Sequence, residues 1–83
     1  MYYFIVYSSV TYATRIRNYF KNDGSYIGLL HTPAEISPGG CSYSVKVKQH
    51  NAQKVVEISR RFGFKIKGIY RQTESGSYVE AEV

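Results

Sequence analysis

Residues 2–7 read Tyr2-Tyr3-Phe4-Ile5-Val6-Tyr7, six aromatic or aliphatic side chains in succession. β-Branched and aromatic residues favour an extended chain. A strand with no polar alternation covers both of its faces, at least in part. Such a strand belongs in the middle of a sheet. The rest of the chain must then supply neighbouring strands on both sides and a layer to bury at least one face.

Beyond Tyr7 the chain alternates between helical and extended patterns. Ser8 and Ser9 are N-cap residues for a helix in which Val10, Ala13, Ile16, Tyr19 and Phe20 recur on one side, and Asn22-Asp23-Gly24 ends it. Tyr26 to Leu30 reads as a second strand, and residues 31–41 as a long connection. Ser42 to Lys48 alternates, with Tyr43, Val45 and Val47 on one face and Ser42, Ser44, Lys46 and Lys48 on the other. Asn51 caps a second helix whose inner stripe is Ala52, Val55, Val56, Ser59 and Phe62, with Glu57 and Arg61 paired on its outer side. Gly63 stands where a left-handed residue closes a helix, and Phe64 packs back on the last turn. Phe64 to Arg71 alternates again, setting Phe64, Ile66 and Tyr70 against Lys65, Lys67, Ile69 and Arg71. Thr73 to Ser77 is a polar turn, and Tyr78 to Val83 a short fifth strand or a tail.

The order β-α-β-β-α-β predicts an α+β fold, a ferredoxin-like sandwich: an antiparallel sheet with both helices on one face. Strands one and three are expected side by side in the middle. The polar strand faces suggest a second sheet face open to water or to a partner. At 83 residues the chain makes one domain, residues 1–83, with a core over 2–71 and an acidic segment over 72–83.

The net charge of +5 is unevenly placed, because all 11 Lys and Arg precede Gln72 while Glu74, Glu80 and Glu82 follow it. A basic body favours anionic partners, or serves solubility alone. Cys41 is the single cysteine, so no internal disulfide forms, and a reducing cytoplasm is the expected setting. One Cys and two separated His match no zinc spacing, and no cofactor is expected. The apolar opening run is too short to span a bilayer, and Met1 leads into it without the charged start of a secretory leader.

Chemistry concentrates around Cys41. Both prolines, Pro33 and Pro38, and the pair Gly39-Gly40 lie in the eleven-residue connection that ends at it. Prolines stiffen a loop, and adjacent glycines leave backbone N–H groups uncovered, able to cradle an anion or a thiolate. Ser37, Ser42 and Ser44 can donate hydrogen bonds, and His31 stands at the other end of the loop. Thiolate character makes a cysteine reactive, whereas a cysteine on the inward face of strand three would be inert. Both readings of Cys41 are open at this point.

Thr32-Pro33, Glu35-Ile36-Ser37, Cys41 and Ser44-Val45-Lys46, together with the opening strand and Ser9-Val10-Thr11-Tyr12-Ala13, resemble the small Se/S (selenium/sulfur) carrier protein-like family, a domain of unknown function. The resemblance runs over residues 2–71. It implies that Cys41 is the nucleophile that holds sulfur or selenium as a persulfide or selenopersulfide. It also implies that Thr32, Ser37 and Ser44 shape its pocket, to which the loop's own chemistry adds Gly39, Gly40 and Ser42, and that donor and acceptor proteins exchange the cargo. The family has Gly after its cysteine in many members, where this chain has Ser42.

A competing reading takes the open sheet face as a nucleic-acid platform. Tyrosines of the first strand would stack bases, and Lys46, Lys48, Lys65, Lys67 and Arg71 would track phosphates. The third strand carries no aromatic on that face, which departs from the RNA-recognition pattern. An aromatic sheet face could equally pair with a second copy in a homodimer. No acid/base pair or phosphate-binding glycine motif points to turnover, so a carrier is expected rather than an enzyme.

Overall fold

The computed structural model describes residues 2–21, 28–37 and 42–82. Its elements are β1 (Tyr2–Tyr7), α1 (Val10–Lys21), β2 (Gly28–His31), β3 (Tyr43–Lys48), α2 (Gln49–Arg61), β4 (Ile66–Gln72) and β5 (Tyr78–Glu80). The sheet runs β2-β3-β1-β4-β5, with every neighbouring pair antiparallel. Without β5 this is the ferredoxin-like order, with β1 and β3 adjacent at its centre. β5 extends the sheet beyond β4.

The apolar opening run takes the central position. Ile5 pairs with Val45 on one side and with Ile69 on the other. Ile5, Tyr7, Val45 and Val47 meet Ala13, Ile16 and Phe20 of α1 and Ala52, Val55 and Val56 of α2 in one buried cluster. Both helices therefore lie on the same sheet face. Neither helix is long and apolar enough to cross a membrane. Tyr7 brings a hydroxyl into this cluster. Its Oη lies 2.6 Å from Ser59 Oγ, and Ser59 donates to the Val55 carbonyl at 2.8 Å. Since Ser59 spends its proton on Val55, Tyr7 is the donor to Ser59. Burial pushes the Tyr7 phenol up to about 12, against the smaller opposing pull of that hydrogen bond.

The helix ends follow local chemistry. Ser9 Oγ accepts from the Thr11 and Tyr12 N–H groups at 3.1 and 3.4 Å, so Ser9 is the cap of α1. Gly63 has φ +75° and closes α2: its N–H reaches the Arg60 carbonyl, and the Phe64 N–H reaches that of Ser59. Glu57 and Arg61 pair at 3.6 Å on the exposed side of α2, where such a pair contributes little.

Several sequence expectations are corrected. α2 begins at Gln49 with Lys48 as an uncapped N-cap, so Asn51 lies inside the helix. β3 ends at Lys48 as expected but begins at Tyr43 rather than Ser42. Val10, Tyr19 and Phe62 are exposed rather than inward. Tyr19 and Phe62 instead join a chain of ring contacts, Tyr19–Phe62–Phe64–Tyr12, with centroids 5.0–5.6 Å apart. β2 runs from Gly28 to His31; Tyr26 and the Asn22-Asp23-Gly24 stop lie outside the described residues.

The largest correction concerns β4. Val6 pairs with Gly68, but Tyr7 pairs with Ile66, so Lys67 is an extra residue in the ladder. A bulge of this kind resets the alternation. Ile66 and Ile69, expected on opposite faces, both pack against the helix-side core. Arg71 falls opposite Tyr3, on the helix side with Ile69.

Candidate functional site

The face turned away from the helices is not bare. Phe4 and Val6 point to that side by register, yet each is almost fully buried. Tyr78 of β5 meets Phe4 edge-on, with centroids 5.2 Å apart, and Lys46 Nζ sits 4.4 Å from the Tyr2 ring centre. Beside Val6 lie Ile36 and Ser37 of the 31–41 connection and Ser42, which follows Cys41 in the chain.

Thr32 and Ser42 bracket this stretch. The Thr32 N–H donates to the Ser42 carbonyl at 2.9 Å, one rung beyond the paired part of β2 and β3. The Thr32 and Ser44 hydroxyls, both buried, lie 2.6 Å apart. The Pro33 carbonyl accepts from the Ile36 and Ser37 N–H groups at 3.0 Å each, which closes a tight turn over 33–37. A proline at the head of that turn fixes φ where the chain must bend. The turn brings Ser37 Oγ to 3.4 Å from Ser42 Oγ.

The bulge supplies a cation to the same spot. Lys67 Nζ stands 3.4 Å from Ser42 Oγ. Val6, Ile36, Ser37, Ser42, Lys67, Gly68 and Tyr70 line a cavity of about 210 Å³ here. Gly68 matters for its shape: a Cβ at that position would stand 2.9 Å from the Tyr70 ring. The cavity lining is thus mixed, with Ser37, Ser42 and Lys67 polar and Val6 and Ile36 apolar. Two larger surface grooves, of about 650 and 670 Å³, lie elsewhere and gather no such cluster of hydroxyls.

Of the residues singled out from sequence, Thr32, Ser37, Ser42 and Ser44 come together. Cys41, Gly39 and Gly40 lie outside the described residues. Ser42, which follows Cys41 in the chain, is where the serine, threonine and lysine contacts converge. His31 leans on Tyr43, with centroids 4.3 Å apart, on the helix side and away from the cavity.

The five cations proposed as one track do not form one. Lys46 and Lys48 stand opposite Phe4 and Tyr2 on the far face. Lys67 is at the cavity, Lys65 precedes β4 in a groove with Arg60 and Phe64, and Arg71 is on the helix side. Phe4, one of the rings offered for base stacking, is 2% exposed.

Lys67, Gly68, Tyr70 and Ile36 were not picked out from sequence as parts of this site. One signal was present: a glycine inside a strand often marks a bulge or a close approach, and Gly68 marks both.

The family described as "Putative Se/S carrier protein-like" matches residues 2–71, from β1 to the penultimate residue of β4. No curated protein and no solved structure matches the chain.

Proposed function

The chain belongs to the Se/S carrier protein-like family, and on that premise we propose that it holds sulfur or selenium on Cys41 as a persulfide or selenopersulfide. The observation that carries this reading is the family match over residues 2–71. The geometry supports it in a second way. Both ends of the Cys41 segment are tied to the sheet through Thr32, Ser42 and Ser44, and hydroxyl donors and an ammonium gather at Ser42.

The chemistry is thiol exchange. The Cys41 thiolate attacks the terminal sulfur of a donor persulfide. The donor's S–S bond breaks, its thiolate leaves, and a new S–S bond forms on Cys41. An acceptor thiolate then attacks that terminal sulfur and releases Cys41 as a thiolate. Selenium follows the same course, and no outside oxidant is needed. Donor and acceptor proteins are the partners, and an acidic docking face would suit a carrier of net charge +5. A reducing compartment such as the cytoplasm suits the exchange.

Intact mass tests the reading. The protein is exposed to a small-molecule persulfide and weighed, alongside Cys41→Ser. The expected result is one added sulfur on the wild type, removed by reductant and absent from the variant. A Cys41 that stays unmodified until the chain is unfolded would overturn the proposal.

A further inference from the structure

We propose that the cavity between the 33–37 turn and β4 is a binding site for a small chalcogen oxyanion, one that carries charged oxygens at one end and a soft sulfur or selenium atom at the other. The inference rests on the carrier reading for the identity of the anion, not for the existence of the site.

The polar residues of the lining include the donors an anion needs. Lys67 Nζ and Ser37 Oγ each stand 3.4 Å from Ser42 Oγ. Hydroxyl pairs ordinarily lie near 2.7–2.8 Å and N–H···O bonds near 2.9–3.0 Å, so both contacts are slack. The nearby Thr32–Ser44 pair, at 2.6 Å, shows what a committed pair looks like. An oxygen anion that enters among Lys67, Ser42 and Ser37 exchanges two long contacts for shorter, charge-assisted ones. Tyr70 lies over Gly68, its hydroxyl 3.4 Å from where a Cβ would be, and adds a phenol to the rim. No carboxylate is among the described residues that line the cavity.

The apolar part of the lining selects which anion. Val6 and Ile36 offer nothing to a fully hydrated oxyanion such as phosphate, which would lose water there without return. A weakly hydrated sulfur or selenium end loses far less. Size narrows the choice further. About 210 Å³ is below the common range of roughly 300–1,000 Å³ for organic ligands and cofactors, so a nucleotide does not fit. At about 30 Å³ per water, the space suits an ion of a few heavy atoms and some solvent.

The test is an NMR titration of ¹⁵N-labelled full-length Cys41→Ser protein with thiosulfate, at constant ionic strength. Without the thiol no persulfide can form, so the result is independent of the carrier chemistry. Saturable shifts confined to the amides of Ile36, Ser37, Ser42, Lys67, Gly68 and Tyr70 are expected. Removing the ammonium in Lys67→Met is expected to weaken binding about tenfold or more, with Lys67→Arg in between. The spectra themselves report whether each variant is folded. Shifts that never saturate, that spread over the Lys46, Lys48 and Arg60 surfaces, or that are unchanged in Lys67→Met would overturn the site. Equal affinity for inorganic phosphate would overturn its assignment to chalcogen anions.

Discussion

Removing the Thr32 hydroxyl is expected to cost more than the hydrogen bond is worth. Thr32 and Ser44 are 3% and 0% exposed, and their hydroxyls lie 2.6 Å apart. Thr32→Val keeps the side chain's outline but leaves Ser44 Oγ buried with no partner. A stranded buried polar group costs about 1–3 kcal/mol, whereas a satisfied pair contributes only about 0.5–1.5 kcal/mol net. Ser44→Ala strands Thr32 in the same way. The double variant strands neither, so its loss should fall short of the two single losses added together by about 1 kcal/mol or more. For a domain of this size each kcal/mol moves Tm by about 4–8 °C. Thr32→Val should therefore melt visibly lower, and adding Ser44→Ala should cost little more or restore part of the loss. Urea unfolding followed by circular dichroism measures all four proteins, and the m-value should not change among them. The backbone bond from the Thr32 N–H to the Ser42 carbonyl is untouched, so the cycle isolates the hydroxyl pair. Strictly additive losses, or a Thr32→Val variant as stable as the parent, would refute the reasoning.

Two further outcomes concern the core and the end of α2. Tyr7 keeps its proton in the fold up to about 12, while in the unfolded chain it ionises near the ordinary value of 10.0. A raised folded pKa means that the Tyr7 contribution is fully present below pH 10 and is lost as pH climbs toward 12, at about 1.4 kcal/mol per pH unit. Tyr7→Phe should be destabilising by about 0.5–1.5 kcal/mol at neutral pH and should close that gap, then reverse it, in urea melts run above pH 10; a difference that stays constant with pH would contradict the burial argument. Gly63 has φ +75° and open space where a Cβ would project, so Gly63→Ala tests backbone strain alone and should cost about 1–2 kcal/mol in the same assay, with Gly63→Asn milder. An unchanged melting curve for Gly63→Ala would show that the turn relaxes without the left-handed residue.

The elements were legible because their signals are local. Six uninterrupted apolar residues mark β1, strict alternation marks β3, and Ser9 and Gly63 bracket helices through capping chemistry that acts within a few residues. Given those elements, handedness and short connections leave few topologies, and the observed order β2-β3-β1-β4-β5 is one of them. Failures came where periodicity alone decided. Tyr19 and Phe62 share the helical spacing of the core residues but are exposed at 50% and 49%. The ring contact between them joins the two helices outside the core, a tertiary fact that no single helix encodes.

The site was harder to read because one residue changes the meaning of a strand. Counted by twos, Lys67 belongs with Ile69 and Arg71, and a reader assembles a basic stripe. The bulge at Lys67 breaks that count between Val6–Gly68 and Tyr7–Ile66. Upstream, Ile66 still meets the core. Downstream, Ile69 returns to it, and Lys67, Gly68 and Tyr70 are left together on the far face. Across from them the Pro33 turn delivers Ser37 and Ile36. The two halves of the cavity thus come from segments about thirty residues apart in sequence, joined only because β3 and β4 flank β1. Deleting Lys67, the extra residue of the bulge, would restore the plain alternation of β4 and take the ammonium away from Ser42. The position of the charge, rather than its presence in the composition, is what equips this face for an anion.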